Sequence, residues 1–322
     1  MAVIDNVLDI LENGQGEFFS GEAIAEKLDV SRNAVWKAIN TLKQKGYRIE
    51  SVTNKGYRLS TSNDILSENL IKKELAGRKD NFTLEIHDVV DSTNNNAKLL
   101  ATEGAPAYTV VIANEQTKGR GRNNRVFYSP EDTGVYFSVV LRPRGGIMPS
   151  HITCMTAVAV ARAIEDLTEH KPAIKWVNDI YVNGKKVCGI LTEGAYSFED
   201  ERLQYAIVGI GINVTCPHKG FDKEIENIAT YIADDATIKN RLVGRILSYM
   251  YDYIEHFDKQ IILEEYRKRM TFIGHDVDVV LHNESYPAVV DSVDDDFGLV
   301  VIDGEKNKQT LTYGEISLRI KN

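Results

Sequence analysis

The sequence predicts an α+β protein of several domains, and three observations predict it. A helical stretch over the first sixty residues ends in a short hairpin. A middle region alternates long strands with long amphipathic helices. A tail of about fifty residues holds only short strands separated by Asp, Gly and Asn turns. The 322-residue length agrees with two or three domains, and 43% apolar with 26% charged residues marks an ordinary globular chain with a proper core. No apolar run is long enough to span a bilayer, and the first residues lack the basic-then-apolar pattern of a secretory signal. Cys154, Cys188 and Cys216 are odd in number and far apart, which argues against disulfides and zinc and for a reducing cytoplasm. A net charge of −9 gives no overall hint of nucleic acid.

Along the chain, Val3, Val7, Leu8 and Leu11 recur at helical spacing, and Gly14-Gln15-Gly16 breaks that helix. Ser20 caps a second helix, Gly21–Leu28. Ser31 caps a third that runs to about Lys45 with Val35, Ile39 and Leu42 inward. Two short helices joined by the Asp29-Val30 turn form a helix-turn-helix, and Tyr47–Ile49 with Tyr57–Leu59 form a wing beside it. Charge is divided within this domain. Residues 1–30 carry Lys27 against seven acids, whereas residues 31–60 carry seven cations against Glu50 alone. A phosphate-contacting surface needs that basic face, and Ser31, Arg32, Asn33 and Lys37 are its candidate DNA contacts. A protein-interaction module with a solvated basic face is the competing reading. Trp36 is expected to pack inward.

After a polar linker at 61–64, a short helix lies within Leu66–Leu75 and a strand at Phe82–Ile86. Asp91-Ser92-Thr93-Asn94 opens the next helix, with Ser92 or Thr93 as its cap. Such an N-terminus also offers N–H and hydroxyl groups to polar ligand atoms. The buried strand Tyr108–Asn114 runs into Gln116-Thr-Lys-Gly119-Arg120-Gly121-Arg122-Asn-Asn-Arg125. Its cations and glycines cannot form a core but suit a phosphate or carboxylate. The spacing is neither that of a Walker A loop nor that of a dinucleotide fingerprint.

A strand, Val135–Leu141, and a long helix from Ser150 to about Glu169 follow. Asn183-Gly184 then signals a type I′ hairpin that brings Asp179 and Lys186 near each other. Asp179 stands where an apolar residue is expected and so needs a cation, a metal or an incoming ammonium. Gly209-Ile-Gly211-Ile-Asn213 leaves one strand face bare, either for a flat ligand or for a packed helix. The sheet is expected to be largely antiparallel. A long helix from Thr237 to Phe257, a shorter one near Ile261–Arg269 and a small β-barrel complete the chain.

Six ordered motifs together resemble the bifunctional biotin–protein ligase and biotin-operon repressor family. They are Asp91–Asn94, Gln116 with Gly119–Arg122, Lys175-Trp-Val-Asn178-Asp179, Lys186-Val-Cys-Gly189, Gly209–Asn213 and Gly314-Glu-Ile-Ser-Leu-Arg319. The resemblance implies a winged helix-turn-helix domain at 1–61, a class II synthetase-like mixed-sheet ligase domain at 62–271 and an SH3-like barrel at 272–322. It implies ATP and biotin as substrates, Mg2+, a biotin carboxyl carrier protein domain as acceptor, operator DNA, a ligand-induced homodimer and no membrane. It places biotin on Ser92, Thr93, Asn94, Gln116, Arg120, Gly121, Arg122 and Lys186, and the nucleotide on Asn178 and Asn213. Catalysis falls to Arg120, Arg122, Asp179 and Lys186, with Asp179 either serving Mg2+ indirectly or orienting the acceptor amine. The chain departs from the family pattern at Val177, Cys188, Phe127 and Asn123-Asn124, which bear on loop order and affinity more than on reaction type. A repressor without ligase activity and a lipoyl-type acyl ligase are the alternatives. The Gly119–Arg125 loop is expected to be mobile when empty. Ordered by an adenylate, it or strands beside it such as Val135–Leu141 would present a surface to a second subunit.

Overall fold

The computed structural model describes residues 3–14, 16–75, 77–143, 147–197, 202–281 and 284–318. Gln15 of the predicted helix break and Arg319 of the last motif lie outside them. The chain divides into two compact units, Met1–Glu74 with Thr237–Gly244, and Leu75–Ala236 with Arg245–Asn322.

In the first unit, α1 (Val3–Asn13), α2 (Gly21–Leu28) and α3 (Arg32–Gln44) precede a two-stranded wing, β1 (Ile49–Val52) and β2 (Gly56–Leu59). Local chemistry sets the boundaries. The Ser20 and Ser31 hydroxyls accept from the N–H groups of Ala23 and Ala34 at 3.0 and 3.1 Å. Asp29 closes α2 in the left-handed region, at φ 53°. Val7, Leu11, Ile24, Val35, Ile39, Leu42 and Leu59 form the core. The wing's first strand begins at Ile49, two residues later than the sequence suggests. Trp36 does not pack inward: it is 54% exposed. Helix α4 (Glu68–Lys73) also belongs to this unit. Asn240 Oδ1 accepts from Ser67 N–H at 2.8 Å, and Asn69 Nδ2 donates to the buried Glu12 at 3.0 Å.

The second unit holds β3 (Thr83–Val90), α5 (Thr93–Thr102), β4 (Thr109–Gln116), β5 (Gly134–Leu141), α6 (Pro149–Leu167), β6 (Ala173–Lys175), β7 (Asp179–Val182), β8 (Lys185–Ser197) and β9 (Arg202–Asn213). Their seven strands run β3-β4-β5-β9-β8-β7-β6. Only β3 and β4 are parallel; every other neighbouring pair is antiparallel, so the sheet is mixed. Helix α5 packs on the face bearing Val111, Val140 and Ile207. Helix α6 covers the other face, where Thr153 and Thr192 hydroxyls meet at 2.7 Å. Strand β5 is buried at every position and paired on both sides, so it is not a surface for a second subunit, contrary to expectation. The sheet edges are β3 and β6.

Helices α7 (Lys239–Glu255) and α8 (Lys259–Arg269) lead into β10 (Asp276–Leu281), β11 (Glu284–Val293), β12 (Leu299–Asp303), β13 (Lys308–Leu311) and β14 (Glu315–Leu318). These pair antiparallel in the order β13-β12-β11-β10-β14. Among the described residues β13 does not pair with β14, so the tail is an open five-stranded sheet and not the closed barrel expected. Trp176 N–H donates to the Phe297 carbonyl at 2.9 Å, which ties this sheet to the mixed one.

Candidate active site

The hairpin turn residues Asn183 and Gly184 take φ 51° and 77°, and the turn they form aligns β7 with β8. A bulge then lets both Val187 and Cys188 point into the core at 0% exposure. Lys186 and Gly189 are thereby left on the Asp179 face. Lys186 Nζ sits 2.7 Å from Asp179 Oδ1, with the two side chains 30% and 19% exposed. Burial raises the Cys188 thiol far above its ordinary range, so it stays a neutral packing group. Burial, with Asp179 beside it, also pushes the Tyr181 hydroxyl up to about 12.

In register, Asp179 lies beside Gly189, Gly189 beside Gly211, and Gly211 beside Tyr136. The next row is Leu191, Gly209 and Ser138. The bare strip is therefore real, but the chain itself fills part of it. A Cβ on Gly211 would lie 2.4 Å from the Phe127 ring, and one on Gly189 would lie 3.0 Å from it. A Cβ on Gly209 would lie 2.1 Å from the Asn94 amide. Packing of helix α5 thus accounts for Gly209, and the flat group over Gly211 is Phe127.

Helix α5 begins at the strip. Ser92, Thr93 and Asn94 are all buried, and Ser92 is the N-cap without a capping bond from its hydroxyl. Gln116 Oε1 accepts from Thr93 N–H at 2.9 Å and from its hydroxyl at 3.1 Å. Asn94 Nδ2 donates to Glu193 at 2.7 Å, and the Ser138 hydroxyl lies 2.6 Å from Asn94 Oδ1 and 2.7 Å from Thr93 Oγ1. Asp91 is spent on the turn itself, accepting from Ser92 N–H and from Asn95 Nδ2. Those bonds, the Asn95 one foremost, hold its carboxyl below the usual range.

The basic loop folds back as a short hairpin, with Phe127 N–H donating to Gly119 O at 2.9 Å and Gly121 N–H to Arg125 O at 2.8 Å. Lys118 N–H donates to Asp91 O, which joins the loop to the start of α5. Arg120 donates to Asn95 Oδ1 at 2.8 Å and lies 3.7 Å from Glu193. Arg122 donates to Asn178 Oδ1 at 3.2 Å and to Gly314 O at 3.1 Å. Asn178 Nδ2 in turn donates to Ile190 O. Asn213 Nδ2 donates to Thr230 O, and Thr230 N–H donates to Lys186 O. The structure thus brings Ser92, Thr93, Asn94, Gln116, Arg120, Gly121, Arg122, Asn178, Asp179, Lys186 and Asn213 to one end of the mixed sheet.

Sequence reasoning missed Ser138, Glu193, Asn95 and Thr230. Ser138 carries a signal, since it is the one small polar side chain in the otherwise apolar and aromatic core of its strand. In the first unit, Ser31, Arg32, Asn33 and Lys37 are exposed at the start of α3. The Ser31 hydroxyl is already occupied as the α3 cap. The wing adds Arg58 and Lys55, lying 4.5 and 5.8 Å from the centre of the Phe18 ring. Among the described residues, no three His, Cys, Asp or Glu side chains cluster as a metal site.

Comparison with known proteins agrees with this geometry. Residues 86–213 match the biotin/lipoate A/B protein ligase family, and residues 4–58 match an HTH domain. The chain is 41% identical over 242 residues to the bifunctional ligase/repressor BirA of Bacillus subtilis, covering 75% of this chain and 74% of that protein. It is 27% identical to the Escherichia coli bifunctional ligase/repressor BirA over 94% of both chains. The biotin protein ligase of Aquifex aeolicus, solved in complex with biotin and ATP, superposes with a TM-score of 0.59 at 26% identity. That match covers 74% of this chain and 99% of that one. The chain belongs to the biotin/lipoate A/B protein ligase family. This chain also carries the HTH match at residues 4–58, and the bifunctional ligase/repressors of Bacillus subtilis and Escherichia coli are among the relatives it is similar to.

Proposed function

We propose that the chain is an ATP-dependent biotin–protein ligase and a transcriptional repressor. The observation that carries the ligase half is the meeting of Lys186, Arg120 and Arg122 with the Thr93–Asn94–Gln116 network on one glycine-lined sheet face. The exposed basic start of α3, on a segment that matches an HTH domain, supports the repressor half.

In this reading biotin's carboxylate attacks the α-phosphorus of ATP. Pyrophosphate leaves and biotinoyl-5′-AMP remains. The amine of an acceptor lysine on a biotin carboxyl carrier protein then attacks the acyl carbon, and AMP leaves. Both steps concentrate negative charge, at phosphorus or at the acyl oxygen, so fixed cations and N–H groups are the main catalytic need. Lys186 pairs with the biotin carboxylate, and Arg120, Gly121 and Arg122 close over the carboxylate and phosphate. Ser92, Thr93, Asn94 and Gln116 hold the polar ring, and Asn178 and Asn213 serve the nucleotide. A protein-held Mg2+ does not fit the carboxylates present, because Asp179 is already ion-paired and, among the described residues, no metal cluster stands near it. Asp179 is thereby left to orient the acceptor amine.

The domain limits in this reading are 1–61, 62–271 and 272–322. The seven-stranded mixed sheet supports the class II synthetase-like assignment, and the five-stranded antiparallel tail, though open among the described residues, supports an SH3-like one. No helix among the described residues is long and apolar enough to cross a membrane, and a cytoplasmic protein is the reading the cysteine usage supports. Mass spectrometry of the full chain incubated with biotin, ATP and Mg2+ tests the chemistry. Bound biotinoyl-adenylate is expected; adenylate formed from lipoate alone would move the chain to the lipoyl branch.

A further inference from the structure

An indole is a large apolar group, and helix α3 leaves that of Trp36 54% exposed. The opposite face of the helix is complete without it, since Val35, Ala38, Ile39 and Leu42 fill the core. Trp36 stands on one stripe with Asn33 and Lys37, all exposed, and Arg32 precedes them. It is the sole aromatic group on a face otherwise polar and cationic.

We propose that Trp36 is a sequence-reading residue of the DNA interface, its indole packed in the major groove against thymine 5-methyl groups. This rests on the repressor reading of the same unit. The second helix of a helix-turn-helix enters the major groove by its N-terminal residues, and Trp36 lies in the first half of α3. Arg32 and Lys37 supply the attraction to phosphates on either side of it. The thymine methyl is the one apolar group that the major groove displays, so an apolar side chain at this depth selects for it. A second copy of the chain is a poorer occupant, because two such faces would bring like charges together.

The experiment uses the full-length chain with biotin, ATP and Mg2+. Duplexes long enough for two half-sites are first enriched from a random-sequence pool by the wild-type protein. The chain has two tryptophans, and Trp176 is 4% exposed with its N–H bonded to Phe297 O, so an emission change on titration reports Trp36. The enriched duplex is expected to quench that emission. Trp36→Ala should weaken binding by roughly three- to tenfold, the worth of a few buried methyl-sized contacts. Replacing the selected thymines by uracil should weaken the wild type by a similar factor and the variant no further. The salt dependence should keep its slope in Trp36→Ala, whereas Lys37→Ala should lower it by about one. Equal affinity and equal uracil sensitivity in wild type and Trp36→Ala would overturn the proposal. So would a Trp36 emission change that accompanies self-association without DNA. Failure of the wild type to enrich any sequence would instead remove the repressor reading, and this proposal with it.

Discussion

Arg120 and Lys186 are the residues on which the proposed chemistry depends most. Arg120 lies beside Glu193 and Asn95, poised over the start of α5. Arg120→Gly removes that cation and frees the backbone between Gly119 and Gly121. Losing a charge-assisted hydrogen bond costs roughly 1.5–3 kcal/mol, so adenylate should dissociate roughly ten- to a hundredfold faster. Adenylate dissociation measured by stopped flow checks this, and an unchanged rate would take the loop out of the site. Lys186→Ala leaves Asp179 with a half-buried, unpaired carboxylate. Biotin-dependent pyrophosphate release should fall about a hundredfold or more, the usual cost of removing one preorganised donor. Circular dichroism should stay unchanged, and a normal rate of release would remove Lys186 from the chemistry.

At the scale of elements, α1 and α4 meet at an unusual group. Glu12 is 0% exposed, and burial above all raises its carboxyl from the usual range, against the opposing bonds from Ser67 and Asn69. A carboxyl whose folded value is raised binds more protons in the native state. Stability therefore falls as pH rises through the interval between its unfolded and folded values. Glu12→Gln is neutral throughout and removes that slope. It should melt above wild type at neutral pH and converge with it below about pH 4, with Trp36 emission following the first unit; identical melting at every pH would show that Glu12 carries no such burden. The elements themselves were legible where local chemistry decides them. Ser20 and Ser31 cap α2 and α3 as their spacing requires, and Asn183-Gly184 turns where a hairpin must. What depends on distant partners was not legible. The apolar run Val135–Leu141 is the same whether the strand is an edge or a centre, and only pairing with β4 and β9 puts it in the middle. The bare strip at Gly209 and Gly211 was visible, but the groups that fill it come from 94 and 127, far off in sequence. Trp36 has the composition of a core residue, and only the completed core of α1–α3 leaves it outside.

Across the whole molecule, all proposed ligase residues lie in the second unit and all proposed DNA contacts in the first. Deleting residues 1–61 should abolish DNA binding and retain pyrophosphate release. It should also lower thermal stability, because Asn69 and Lys73 of α4 lose Glu12 of α1, to which both donate. A folded truncated chain that still bound the enriched duplex like the full protein would contradict the winged-helix assignment.

The two units are proposed to be coupled, with an adenylate made in one governing DNA binding by the other. On this proposal an adenylate anion would neutralise the Gly119–Arg125 loop, and an ordered loop would then favour a dimer that reads two half-sites. Linkage requires the converse, so DNA must tighten adenylate binding by the same factor. The direct measurement is a pair of titrations at fixed salt, duplex into protein with and without biotinoyl-adenylate, alongside sedimentation of both forms. The adenylate-bound chain is expected to dimerise and to bind the duplex more tightly. Equal dimerisation and equal affinity in the two states would contradict that coupling.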